Sequence, residues 1–241
     1  KDLKEKIPQL DTPAIDPEEL KSFAQAIKKQ YLERGYYSAT IEPDLTIDSN
    51  GKAIITFTID EKCKSLVKRI EFKGNKNISG KTLRSIIYTR EDWLLSFMDK
   101  SGTFLPDRLE ADKHAIEMYY QSHGFMNAKV AAVTPIMDPC TNDFNIIFEI
   151  QEGDLYTINC VSAPGNDLLQ ECELLKVIPI NPCDLYSREL LVDAIKNLEL
   201  LWGSFGYLYA HIEPSIEPND ETKTVDISFR SELGNQITLE N

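Results

Sequence analysis

Histidine is nearly absent from this chain: the 241 residues contain three, His114, His123 and His211. None stands at a ligand spacing from the five cysteines, and no CxxC pair occurs, so the common zinc frameworks have no foothold. There is neither a GxSxG elbow nor an HExxH helix, which leaves acyl transfer and metalloprotease chemistry without a motif. No apolar run approaches the roughly 18 residues that a membrane-spanning helix requires. No signal peptide opens the chain, an absence that says little because a cut chain would have lost it. Positive charge is also short: 26 Lys and Arg face 39 Asp and Glu, a net charge of −13. Residues 1–62 hold 9 basic and 12 acidic side chains, 63–153 hold 12 of each, and 154–241 hold 5 and 15. Nucleic acid is therefore excluded as a partner, because phosphate binding needs a concentrated basic face. The one basic cluster, Lys64, Lys68, Arg69, Lys73 and Lys76, reads as a solvated strand edge guarded against aggregation.

Two further features resemble sites and fail as such. Gly74 to Thr82 (GNKNISGKT) lies between a strand and a helix, as a phosphate-binding loop would. Its first glycine is one residue too early, since Asn75 occupies the position that needs Gly. The five cysteines, Cys63, Cys140, Cys160, Cys172 and Cys183, are odd in number, so at least one is unpaired within the chain. Two readings stay open for the others: a short-loop disulfide between Cys172 and Cys183, or buried apolar thiols. An enzyme using the carboxylates of the third segment with a metal ion would require clustered acids, and these are spread along the surface. No catalytic, cofactor or metal site is expected.

What the chain does have is a repeat. Tyr31 to Ala39 (YLERGYYSA), Tyr120 to Ala128 (YQSHGFMNA) and Trp202 to Ala210 (WGSFGYLYA) are versions of one segment: aromatic, Gly four residues on, aromatic, then Ala. The glycines Gly35, Gly124 and Gly206 lie 89 and 82 residues apart, a domain-sized period rather than a solenoid one. Before each glycine an apolar stripe at helical spacing runs through Leu20, Ile27 and Tyr31, through Leu109, Ile116 and Tyr120, and through Leu191, Leu198 and Trp202. Asp16, with Pro17, Glu19 and the staple Ile15 to Leu20, caps the first helix; Ser187 repeats the arrangement in the third, and the second begins near Pro106. The glycines close these helices with positive φ, a structural role, and Tyr36, Phe125 and Tyr207 return the chain to the core.

After each glycine the apolar period becomes two, giving strand, turn and strand. Asp48-Ser49-Asn50-Gly51 marks the first turn, and Phe57, Phe148 and Phe229 follow their glycines by 22, 24 and 23 residues. The extra residues of the second copy fit either a longer turn around Asp138-Pro139 or a bulge. Copies two and three also share an opening strand, Leu66 to Asn75 and Tyr156 to Asn166, and a second helical stretch. Each full unit reads β-α-α-β-β. The first copy lacks its opening strand, with Lys1 to Gln9 a possible first helix, and both ends read as cut from a longer chain.

Units of this order, with the helix-end motif, an opening strand finishing in Gly-Asn, and Glu152-Gly153 before the next unit, resemble the POTRA domains of the BamA family over essentially the whole chain. The resemblance implies an α+β fold of tandem POTRA domains, each a three-stranded mixed sheet covered by two antiparallel helices. The expected domains are 1–62 (second-like, without its first strand), 63–153 (third-like), 154–234 (fourth-like) and the start of another at 235–241. It further implies the periplasmic side of the bacterial outer membrane, with unfolded outer-membrane proteins, accessory assembly lipoproteins and the parent chain's own C-terminal β-barrel as partners. Two-partner secretion and organelle-import transporters carry similar domains and are the alternative. In this family an extended partner pairs with the strand after the helix-end motif. Here that edge is Asn127, Ala128, Lys129, Val130, Ala131, Ala132 and Val133, with Ala128, Val130 and Ala132 on one face, leaving the backbone approachable. Proline at Val130 or Ala131 is expected to weaken pairing at little cost in stability.

Overall fold

The computed structural model describes residues 17–47, 53–93 and 102–237. The cap at Asp16, the staple at Ile15, the Lys1 to Gln9 helix, the Asn50-Gly51 turn and residues 238–241 lie outside them. Within them the predicted order is realised. Helix α1 (Pro17–Leu32) leads into the antiparallel hairpin β1 (Thr40–Ile47) and β2 (Ala53–Asp60). The middle repeat is β3 (Val67–Lys73), α2 (Gly80–Ile86), α3 (Pro106–Gln121), β4 (Lys129–Met137) and β5 (Phe144–Gln151). The third is β6 (Thr157–Ser162), the short helix α4 (Glu171–Leu174) with a 3-10 turn, α5 (Arg188–Ser204), β7 (His211–Asn219) and β8 (Thr224–Glu232). Both complete sheets place the last strand in the centre, in the orders β3-β5-β4 and β6-β8-β7. The opening strand pairs parallel with that centre, Phe72 beside Phe148 in one sheet and Val161 beside Ile227 in the other.

The chain packs as two compact units, Lys1–Lys73 with Gly80–Lys113 and Ala132–Glu149, and Gly74–Ser79 with His114–Ala131 and Ile150–Asn241. In the first, Ile27, Tyr31 and Ala39 are buried with Phe57 and Ile59 against them, and Phe72 stacks on Phe148 at 5.5 Å. In the second, Leu191, Ala194, Leu198 and Trp202 of α5 close over Ile212, Val225, Ile227 and Phe229. Ser187 caps α5, its side chain accepting the Leu190 N–H.

One arrangement recurs at each helix end and explains the repeated motif. The glycines take φ +87, +94 and +88, the left-handed conformation that closes a helix. The aromatic four residues earlier bonds to the end of its own sheet: Tyr31 donates to Glu61, Tyr120 to Glu152, and Trp202 Nε1 to Ser231. Each glycine carbonyl then accepts an N–H from the chain beyond its own repeat, from Ser65 at 2.9 Å, Tyr156 at 2.8 Å and Ile237 at 2.9 Å.

Two expectations resolve here. Six residues separate β4 from β5 and four separate β7 from β8, so the second copy has the longer turn, closed by Asp138 N–H to the Asp143 carbonyl at 2.8 Å. Asp138 N–H faces β5 whereas Val130 N–H, an even number of residues earlier, donates to Glu117, so β4 carries a bulge between them as well. The cysteine readings are corrected: all five thiols are free and exposed. Cys160 sits at a register shift of β6 and Cys183 at φ +73 in a loop, positions set by strand and turn geometry, so neither a disulfide nor an apolar core claims them.

Candidate partner-binding edge

A backbone edge can bind only where its hydrogen-bonding groups are unspent. The β3 edge is spent. Val67 N–H donates to the Gly102 carbonyl at 2.8 Å, Asp92 N–H to the Val67 carbonyl at 2.7 Å and Ile70 N–H to Glu91 Oε1 at 2.7 Å. Arg84 takes the Ile70 carbonyl at 2.6 Å. The β6 edge is likewise covered, by Asp184 accepting from Ile158 N–H and by Cys183 and Tyr186 donating to the Ile158 and Tyr156 carbonyls. Among the described residues, β4 and β7 are the outer edges that remain in the two complete sheets.

Proline separates them. Pro214 of β7 sits in a register unbroken from His211 beside Glu232 to Asn219 beside Thr224. Proline fits such a ladder only with its nitrogen turned away from the paired strand. Pro214 thus faces the open edge and gives it no donor there, and Pro218, four residues on, faces the same way. Pro43 repeats this in β1, opposite Phe57 as Pro214 is opposite Phe229. Both prolines lie eight residues after their repeat's glycine. The corresponding residue of the middle repeat is Ala132, which retains its N–H. The proline-free run is Lys129 to Thr134, ending at Pro135.

The seven residues named from the sequence are placed as follows. Asn127 and Ala128 lie in the turn before the strand, because Ala128 N–H closes back onto the Phe125 carbonyl at 3.0 Å; β4 starts at Lys129. Lys129 and Ala131 point to solvent, Val130 points into the core with Ala128, and Ala132 and Val133 are half-buried. Ala128 and Val130 thus share the buried face of the strand. Sequence reasoning missed two residues of α3 that touch this edge. Glu117 Oε1 accepts the Val130 N–H at 2.9 Å, and Gln121 Nε2 lies 3.4 Å from the Ala128 carbonyl. Arg188 holds the other end of the Gln121 amide at 2.6 Å. Neither carried a spacing signal, since the contact depends on how α3 lies along β4.

Two other polar sites are structural. Glu152, 7% exposed, accepts Tyr120 OH at 2.9 Å, Asn77 N–H at 2.9 Å and Asn77 Nδ2 at 2.7 Å. Burial alone would raise its pKa, but these hydrogen bonds outweigh burial and hold it below the ordinary carboxylate value, while burial and Glu152 push Tyr120 up. Asp112 is fully buried and accepts the backbone N–H groups of Tyr88 and Thr89. A cleft of about 680 Å³ is walled by Tyr37, Phe104, Phe144 and Pro135, with Phe104 stacked on Phe144 at 3.9 Å. Burial, then Asp107, pushes the Tyr37 hydroxyl up to about 12. Among the described residues no His, Cys, Asp and Glu group could hold a metal, and no helix is long and apolar enough to cross a membrane.

The family model for POTRA, described as "Surface antigen variable number repeat", matches residues 1–62, 65–153 and 156–231. The chain belongs to the POTRA family. Its POTRA repeats are 26% identical over 212 residues to the outer membrane protein assembly factor BamA of Neisseria meningitidis, covering 88% of this chain. They are 31% identical over 154 residues to a putative outer membrane protein assembly factor of Treponema pallidum, covering 62%. The chain spans 27% and 18% of the length of these two relatives. The same fold appears in the crystal structure of Haemophilus influenzae BamA POTRA3-5, at TM-score 0.51 and 19% identity, covering 95% of this chain and 89% of that one. Haemophilus ducreyi BamA lacking POTRA domains 1-3 aligns at TM-score 0.57 and 18% identity, covering 70% and 30%.

Proposed function

We propose that these POTRA repeats are the periplasmic region of a BamA-type outer-membrane protein assembly factor. They bind extended segments of unfolded β-barrel clients, and of accessory lipoproteins, by adding a strand to the β4 edge, and so help deliver clients to a barrel carried by the same parent chain. The observation that carries the reading is the edge itself. β3 and β6 are covered, β1 and β7 place proline where a donor would face a partner, and β4 has Ala132 at that point. Backbone pairing tolerates many sequences, as a factor serving many clients requires. The assembly factors among the chain's relatives supply the assembly context.

The test is on the parent protein in its source cells. Membrane fractionation with an antibody to this region, and gel mobility with and without boiling, should place it in the outer membrane with heat-shifted mobility. A soluble parent with unshifted mobility would sink the assembly reading. A photo-crosslinker at exposed Ala131 should capture nascent β-barrel proteins, and no such adduct would remove β4 from it.

A further inference from the structure

The leading end of β4 is occupied already. Val130 N–H cannot serve β5 while it donates to Glu117 Oε1 at 2.9 Å, so it faces the open edge, as Ala132 does by its equivalence to Pro43 and Pro214. A strand added to this edge would place a backbone carbonyl on that same N–H. The Gln121 amide likewise approaches the Ala128 carbonyl at 3.4 Å, where an added strand would bring an N–H. One turn of α3 thus presents an acceptor and a donor, four residues apart, to two neighbouring groups of the edge. The Glu117 side chain is 19% exposed and its second oxygen lies 3.8 Å from exposed His114 Nδ1, so the carboxylate has a solvent-side position to move to.

We infer that Glu117 is a stand-in for the partner strand: it satisfies Val130 N–H in the free protein and is displaced when an extended segment pairs through Val130 and Ala132. The inference rests on the β4 reading of the preceding subsection. It adds a residue that sets register and threshold. A segment too weak to displace Glu117 reaches only as far as Ala132, whereas a productive one pairs through Val130 and releases the carboxylate to solvent. An orphaned edge donor costs stability and invites indiscriminate pairing, which a displaceable side chain prevents in the unloaded protein.

The test uses the whole chain and a fluorescent ten-residue peptide of alternating polar and aromatic residues, the pattern of a membrane-barrel strand. Glu117→Ala exposes Val130 N–H and should tighten peptide binding about fivefold, the factor equivalent to one modest hydrogen bond. Glu117→Gln keeps an acceptor oxygen and should bind within about twofold of the unchanged protein. Amide exchange at Val130 should be faster in free Glu117→Ala and equally slow in both peptide complexes. Ala132→Pro separates use of the edge from the stand-in role of Glu117. If it weakens binding while Glu117→Ala leaves affinity unchanged or lower, the edge is used and the stand-in role is overturned. If Ala132→Pro leaves affinity unchanged, the β4 reading itself falls. Melting curves establish that each variant is folded.

Discussion

Tyr120 and Glu152 hold the end of α3 against the end of β5 through a bond made at zero exposure on the tyrosine side. Because the fold holds the Glu152 pKa below its ordinary 4.5, the ionised form is the one the structure favours. Its contribution is complete above about pH 4.5 and is lost as pH falls through the lowered native value. Urea unfolding at neutral pH should show Glu152→Gln costing about 1.5–3 kcal/mol, the range for hydrogen bonds to charged groups. The acid-side loss should be smaller in the variant than in the parent chain. Glycine supplies a second residue-scale contrast. A Cβ on Gly124 would meet the Leu155 side chain at 2.5 Å, whereas one on Gly74 would meet the Ile150 carbonyl oxygen at 2.1 Å. A side chain can swing aside and a paired backbone cannot. Gly124→Ala should cost about 1–2 kcal/mol, mostly for its left-handed φ, and Gly74→Ala distinctly more in the same assay.

At the scale of elements, β1, β4 and β7 are the same strand in three copies, and one difference that bears on their edges lies at the eighth residue after each glycine. Pro43 and Pro214 show that the fold accepts proline there, so Ala132→Pro should cost under about 1 kcal/mol, the level of a surface change, while removing one donor from the edge. The expectation that proline at Val130 or Ala131 would be benign needs correction. Val130 N–H already serves Glu117, and by strand alternation Ala131 N–H faces β5, so Ala131→Pro removes a ladder bond. It should lose about 1–3 kcal/mol in thermal or urea unfolding, and a benign Ala131→Pro would reverse the assigned strand faces. The proline difference was legible by counting eight residues from each glycine. The role of Glu117 was not, because a carboxylate midway along an amphipathic helix looks like any solvated charge until the helix is laid beside the strand.

For the molecule as a whole, the five exposed cysteines are the most accessible check. A native thiol titration under non-reducing conditions should count five per chain and the same number in denaturant; a count of three would restore the Cys172 to Cys183 bridge. The repeat, the β-α-α-β-β order, the helical stripes and the membership they lead to were all determined by the sequence alone. Period, glycine position and apolar spacing are local properties that each copy states independently, and three copies in register leave little freedom for another fold. Which sheet edges remain open was decided only by the tertiary structure. Residues 102 and 91–92 cover β3, 183–186 cover β6, and Glu117 reaches Val130 across the gap from α3 to β4. These are contacts between segments distant in sequence, with polar groups that carry no periodic signature, and hydrogen-bond accounting at an edge has no meaning until both partners have coordinates.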